Sequence, residues 1–115
     1  MVVGPPTVIS RKLSTLLNTP MEFLVSIKIL PLPEEEDSAK LYAAEATRAR
    51  ELADMGIIRR LWRVPGQRAN WGLWEAKDAT ALHKAISSLP LYPYMEVKVH
   101  PLAKHPSDPL RDTGE

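Results

Sequence analysis

Two kinds of apolar spacing alternate along the chain, and their order limits the folds that it can adopt. Residues 21–30, MEFLVSIKIL, carry apolar side chains at every second position, which is the pattern of a half-buried strand. The prolines and acidic residues that follow cannot continue a central strand and favour the start of a helix. Residues 38–56, SAKLYAAEATRARELADMG, are rich in helix-forming residues and end at a glycine, as helices often do.

Two further strands are predicted before a second helix. Residues 57–65 and 69–76 have strand patterns, and the Pro-Gly pair between them indicates a turn. Residues 77–90 predict a shorter helix that Asp78 caps, and residues 95–102, MEVKVHPL, alternate again. This order predicts an α+β ferredoxin-like fold, βαββαβ, with a four-stranded antiparallel sheet and both helices on one of its faces.

The opposite face of such a sheet has no helix to cover it. Its apolar side chains would form a patch too large to stay exposed to water on a stable monomer. We therefore expect this face to meet a second subunit, as in a dimeric α/β barrel, or to enclose a ligand.

The chain of 115 residues is expected to form one domain with two short extensions. Residues 1–20 are predicted to be a flexible extension, residues 21–104 the ferredoxin-like domain and residues 105–115 a tail. In an alternative interpretation, a leucine cluster in the extension forms a short helix that docks on a partner subunit (Leu13, Leu16, Leu17).

Composition and charge exclude several classes of function. Fifteen Lys and Arg residues against fourteen Asp and Glu give a net charge of +1, which argues against a nucleic-acid binder. No apolar run is long enough for a membrane span, and no histidine has a metal-ligand partner at a recognisable spacing. The absence of cysteine removes disulfides and thiolate chemistry and fits a reducing cytoplasm.

The first predicted helix places charged residues among its apolar ones. At 100° per residue, Leu41, Leu52 and Met55 share one direction, and Glu45 and Arg48 fall within the same arc. Carboxylates at such positions are seldom buried unless they are paired. Either Glu45 forms a structural ion pair with Arg48 or a strand arginine, or it is a general base in a partly dry cleft.

The predicted second strand raises a similar question about arginine. Arg59, Arg60 and Arg63 surround Leu61 and Trp62, so at least one guanidinium lies beside bulky apolar groups. Exposure at a sheet edge is one explanation, and an anionic ligand is the other, because a guanidinium binds a carboxylate bidentately and keeps its charge when desolvated. The tryptophans are expected to serve packing (Trp62, Trp71, Trp74).

Five stretches give the chain a resemblance to a known family. They are RRLWRVPG, the AN after it, ALH, LPLYPYM and KHPS. Through them, the chain from Met21 to about Asp108 resembles muconolactone isomerase, a cofactor-free enzyme of the β-ketoadipate pathway. The resemblance implies a ferredoxin-like fold, pairing of subunits through their sheets and further assembly into decamers.

The resemblance also implies a reaction and a set of site residues. The family shifts a proton across an allylic system and converts muconolactone, an anionic lactone, to the 3-oxoadipate enol-lactone. Glu45 occupies the position of the family's helix glutamate and would be the general base. Arg63 would hold the substrate carboxylate and Asn70 would donate a hydrogen bond, with Arg68 and Arg48 as further substrate-binding candidates.

The chain departs from the family pattern at two places. Gln67 and Arg68 stand where the family usually has His-Tyr, and Gly72 stands where it usually has serine. These departures leave the exact lactone open. Two other functions also stay open: dehalogenation of a halogenated muconolactone with the same base, and a non-catalytic ligand-binding or assembly role on the same scaffold.

Overall fold

The computed structural model describes residues 19–110. Most of the predicted extension over residues 1–20, with its leucine cluster, lies outside this range, as does the end of the predicted tail over residues 105–115. The elements follow one another as β1 (Met21–Ile29), α1 (Ser38–Asp54), β2 (Ile58–Arg63), β3 (Ala69–Ala76), α2 (Ala79–Ser87), a 3-10 helix (Tyr92–Tyr94) and β4 (Met95–Leu102).

The strands form one antiparallel sheet in the order β2-β3-β1-β4, so the two outer strands are β2 and β4. The register places Phe23 of β1 between Trp74 of β3 and Pro101 of β4. Both helices pack on the face that carries Phe23. The predicted ferredoxin-like architecture is confirmed.

The core lies between the helices and this face of the sheet. Alternate residues of β1 are buried against α1 and α2, as the period of two predicts (Phe23, Val25, Ile27, Leu52, Leu82, Ile86). Asp78 caps α2, because its side chain accepts a hydrogen bond from the backbone N–H of Ala81 at 2.8 Å. At the end of α1, Gly56 has φ of +79°, a conformation that favours glycine.

One member of the predicted apolar stripe is not part of the core. Met55 is 57% exposed, whereas Leu52, one turn earlier, is fully buried. Met55 is the C-cap residue of α1, and the chain reverses at Gly56 immediately after it. The prediction for Met55 is wrong because the helical spacing was extended past the last residue that α1 buries.

Gly72 has a packing role at the centre of β3. A Cβ atom on Gly72 would lie 2.6 Å from Nε1 of Trp74 and 2.9 Å from a methyl carbon of Leu61. The Trp74 indole is 1% exposed and is enclosed by the core, so it cannot move aside freely. Glycine at this position therefore leaves room for a buried tryptophan.

We expect Gly72→Ser to destabilise the fold by about 1–3 kcal/mol, the usual cost of overpacking a core. Gly72→Ala is the matched variant, since it adds the Cβ atom without a hydroxyl that Trp74 Nε1–H could bind. Urea unfolding followed by tryptophan fluorescence measures both changes. Unfolding midpoints equal to that of the parent would show that the indole has room to shift.

The other face of the sheet carries two partly exposed tryptophans. Trp62 and Trp71 are opposite one another on β2 and β3 and are 44% and 37% exposed. Trp71 stacks with His100 at 5.9 Å between ring centroids, and the Arg60 guanidinium lies 4.9 Å from the centroid of the Trp62 ring. Only Trp74 of the three tryptophans is a core residue. Across residues 19–110, none of the helices has the length and apolar character of a membrane span.

Candidate active site

A cleft of about 1150 Å³ opens between α1 and the end of the sheet where β2 and β3 are joined. Its wall on the helix side is formed by Ser38, Tyr42 and Glu45, which share one face of α1 at spacings of four and three residues. The segment that follows β1 and the region of the 3-10 helix form the rest of the wall of the cleft. The cleft thus has a helical wall and a floor made of strand residues.

Glu45 is the carboxylate that the sequence placed among apolar residues, and it faces this cleft. Its side chain is half-buried, and its Oε1 accepts a hydrogen bond from the backbone N–H of Leu91 at 2.9 Å. Leu91 is 1% exposed, so this bond satisfies a buried donor that lies 46 residues further along the chain. The bond orients one carboxylate oxygen and leaves the other without a described partner.

Burial raises the pKa of Glu45 above the usual value near 4.5, because removal from water disfavours the charged form. The hydrogen bond from Leu91 N–H acts in the opposite direction and lowers the pKa, but its effect is the smaller of the two. Among the described residues no cation forms a salt bridge with Glu45. The carboxylate is therefore a stronger proton acceptor than an ordinary exposed glutamate.

The raised pKa predicts how stability responds to pH. Above pH 4.5 and up to the pKa of folded Glu45, the folded chain holds more of this proton than the unfolded chain, so its free energy of unfolding falls as pH rises. Glu45→Gln removes the titration and keeps an acceptor for Leu91 N–H. We expect the variant to gain stability relative to the parent as pH rises from 4 to 8. Urea unfolding at each pH measures the difference, and a difference independent of pH would contradict the prediction.

Three polar residues share the floor of the cleft. Arg63 of β2 is opposite Asn70 of β3, and paired residues face the same side of a sheet. Arg68 is two residues before Asn70, and its carbonyl accepts a hydrogen bond from Ile29 N–H of β1 at 2.8 Å. All three line the cleft, and the Oδ1 atom of Asn70 is buried there without a hydrogen-bond partner. The structure thus brings Glu45 together with Arg63, Arg68 and Asn70.

Arg48 is the one candidate that the structure separates from this group. Its Nε donates to Ser88 Oγ and its Nη1 pairs with Glu51 Oε1, both at 2.9 Å. It does not line the cleft. Its role in substrate binding stays a prediction, and its long side chain extends toward the end of α2. The expected ion pair with Glu45 is also absent, since Glu51 one turn away takes that position.

The other strand arginines have different environments. Arg59 pairs with Glu75 at 2.6 Å, and Arg60 lies over Trp62 on the opposite face of the sheet. Arg63 is therefore the arginine of the RRLWR stretch that lies on the same side as the helices, beside Leu61. It is exposed on an outer strand and also lines the cleft, which fits both explanations that the sequence raised, exposure at a sheet edge and an anionic ligand.

Sequence reasoning missed the contacts that close the cleft at its outer side. The Tyr94 hydroxyl donates to Glu36 Oε1 at 2.8 Å, and this bond raises the pKa of the Tyr94 hydroxyl. Leu30 N–H donates to the Tyr94 carbonyl at 2.7 Å. Both bonds hold the segment after β1 against the 3-10 helix. The one signal in the sequence was the LPLYPYM stretch, which contains Leu91 and Tyr94.

The arrangement combines a proton acceptor with fixed positive charge. Glu45 can accept a proton in a partly desolvated site, and two guanidinium groups on the floor can bind an anion. Within residues 19–110, no three histidine, aspartate or glutamate side chains are grouped as metal ligands. The cleft is thus suited to proton transfer on a small anionic molecule.

Comparisons with known proteins agree with this arrangement. The family described as muconolactone delta-isomerase matches residues 21–108. The muconolactone delta-isomerase of Pseudomonas aeruginosa is 34% identical over 83 residues, which cover 72% of this chain and 86% of that protein. The enzyme of the same name from Cupriavidus pinatubonensis is 38% identical over 90 residues, covering 76% and 97%.

A solved structure shares the fold as well as the sequence. A crystal structure of muconolactone isomerase superposes with a TM-score of 0.73 at 33% identity, over 80% of this chain and 98% of that chain. The matches in sequence and in structure therefore identify the same group of proteins. The chain belongs to the muconolactone delta-isomerase family.

Proposed function

We propose that this protein is a cofactor-independent isomerase that shifts the ring double bond of an anionic lactone, muconolactone or a close analogue, in aromatic-compound catabolism. Membership of the family supports the reaction type. The observation that carries the proposal is the shared cleft, which is lined both by a half-buried Glu45 without a described salt bridge and by Arg63.

The reaction moves one proton and leaves the composition of the lactone unchanged. Glu45 removes the proton from the ring carbon that bears the carboxymethyl group. The electron pair of that C–H bond moves through the conjugated double bond, and negative charge collects on the lactone carbonyl oxygen. Protonated Glu45 then returns the proton to the carbon beside the carbonyl, so the double bond ends one position along the ring.

The raised pKa of Glu45 suits both halves of this transfer. A carboxylate whose pKa has moved toward neutrality is a better base, and its protonated form remains acidic enough to return the proton. Leu91 N–H binds one oxygen of Glu45 at 2.9 Å and so limits rotation of the carboxylate. The other oxygen is then available for the carbon acid.

Arg63 and Asn70 are proposed to bind the substrate. Arg63 offers a bidentate partner for the carboxymethyl group, and in the partly enclosed cleft its charge also steadies the enolate. Asn70 lines the same cleft, and its amide N–H₂ is proposed to donate a hydrogen bond to a lactone oxygen. These two residues would position the ring above Glu45.

The direct test is turnover of muconolactone by the full chain in D₂O, followed by proton NMR. We expect the enol-lactone product, and deuterium at the carbon beside the carbonyl reports how often protonated Glu45 exchanges with D₂O before it returns the proton. A parallel sample with a halogenated muconolactone detects dehalogenation by halide release. Binding of muconolactone without conversion would replace the proposal with the ligand-binding role.

The proposal includes assembly through the exposed sheet face and a cytoplasmic location. The partly exposed tryptophans Trp62 and Trp71 supply the apolar surface that a second copy of the chain would cover. A dimer that assembles further into a decamer is the arrangement that the family resemblance implies. Sedimentation equilibrium measures the assembly, and a parent chain that stays monomeric at micromolar concentration would contradict this part.

A further inference from the structure

We propose that the preferred substrate is a lactone with two carboxylates, one held by Arg63 and the other by Arg68. This inference rests on the proposed function, because it takes the cleft to be the substrate site. It goes beyond that function by assigning a second anion position and a chemical class of substrate.

The two arginines lie at the same end of the β2–β3 hairpin. Arg63 is directly opposite Asn70, and Arg68 precedes Asn70 by two residues in the turn that leads into β3. Diagonal neighbours across a strand pair have backbones about 7–8 Å apart, which long side chains can span. Both residues line the cleft, so each guanidinium can hold its own carboxylate on opposite sides of a five-membered ring.

Neither of these two guanidiniums forms a salt bridge with any residue in the 19–110 range, whereas Arg48 and Arg59 have carboxylate partners at 2.9 and 2.6 Å. Three carboxylates line the same cleft without pairing with either arginine (Glu34, Glu36, Glu45). Two guanidiniums at diagonal positions repel one another, and a single bound carboxylate neutralises only one of them. A dianionic ligand neutralises both.

The cleft also has room for the larger ligand. Its volume of about 1150 Å³ lies slightly above the range of about 300–1000 Å³ that is usual for small-molecule sites. Sites of this size hold larger ligands than muconolactone. Arg68 is thus a second cation in the cleft, beyond the carboxylate site that Arg63 supplies.

Binding can be separated from turnover by working in the Glu45→Gln background. Calorimetry would give the Kd of muconolactone and of a muconolactone that carries a second carboxylate on the ring. The same two titrations are made after adding Arg68→Gln. Arg50→Gln is the matched control, since Arg50 is an exposed residue of α1 outside the cleft and the change removes the same charge.

We expect the dicarboxylate to bind about 10- to 100-fold more tightly than muconolactone, the effect of one added charged hydrogen-bonded pair. Arg68→Gln should bring this ratio close to one, and Arg50→Gln should leave it unchanged. A ratio near one in the Arg68-containing protein, or a ratio that Arg68→Gln does not alter, overturns the inference. A different result would contradict the proposed function itself, namely that the parent chain converts neither lactone.

Discussion

Replacement of Glu45 by glutamine is expected to lower kcat on muconolactone by about 10²- to 10⁴-fold, the usual contribution of a positioned general base. Glutamine keeps the shape of the side chain and can still accept the hydrogen bond from Leu91 N–H. It cannot accept a proton from carbon. Steady-state kinetics with the purified full chain measures the loss, and the KM is expected to change little.

The matched control is Glu51→Gln on the same helix. Glu51 is exposed, pairs with Arg48 and does not line the cleft, so this variant should retain the activity of the parent. In the parent, kcat/KM should fall as pH drops through a pKa above 4.5, because only the ionised form of Glu45 is a base. A Glu45→Gln variant within tenfold of the parent would remove Glu45 from the mechanism.

Replacement of Arg63 by glutamine is expected to lower kcat/KM by about 10²- to 10³-fold, as losses of a preorganised stabilising donor do. The loss has two sources. The variant lacks the bidentate contact with the substrate carboxylate, and it lacks the positive charge near the enolate oxygen. Arg63→Lys should recover part of the activity, since lysine restores the charge without the planar fork. Kinetics at several salt concentrations would show the charge contribution.

Arg63→Gln needs a control for general loss of positive charge. Arg50→Gln serves this purpose, because Arg50 is exposed on α1 and does not line the cleft. Its kcat/KM should remain within a factor of about two of the parent value, as expected for a screened surface charge. Equal losses in both variants would mean that Arg63 acts through long-range charge and makes no specific contact.

The periodicity of the sequence was sufficient to predict the fold. The alternation in β1 and the cap at Asp78 are local features, and they determine which face each side chain takes. The direction of Glu45 followed in the same way from helical spacing. The prediction that Met55 lies on the buried side of α1 was wrong, because helical spacing does not show where the helix stops packing against the sheet.

The partners of the site residues could not be predicted, because they come from distant segments. Glu45 binds the backbone of Leu91, and an N–H group leaves no mark in the sequence that identifies its acceptor. Arg48 is 60° from Glu45 on the helix in an ideal projection, and its choice of Glu51 over the cleft depends on packing near Ser88. The side of the helix on which a residue lies follows from local spacing, whereas the group that its side chain contacts depends on how the whole chain folds.

The hydrogen bond between Leu91 N–H and Glu45 has a consequence for tracing this family through genomes. Leu91 is 1% exposed, so loss of its acceptor would leave a buried donor unpaired, at a cost of about 1–3 kcal/mol. A descendant that had lost catalysis would still be under selection to keep an acceptor here, and glutamine would satisfy that need. Glutamine at this position, rather than a small apolar residue, is therefore the substitution that should mark inactive paralogues.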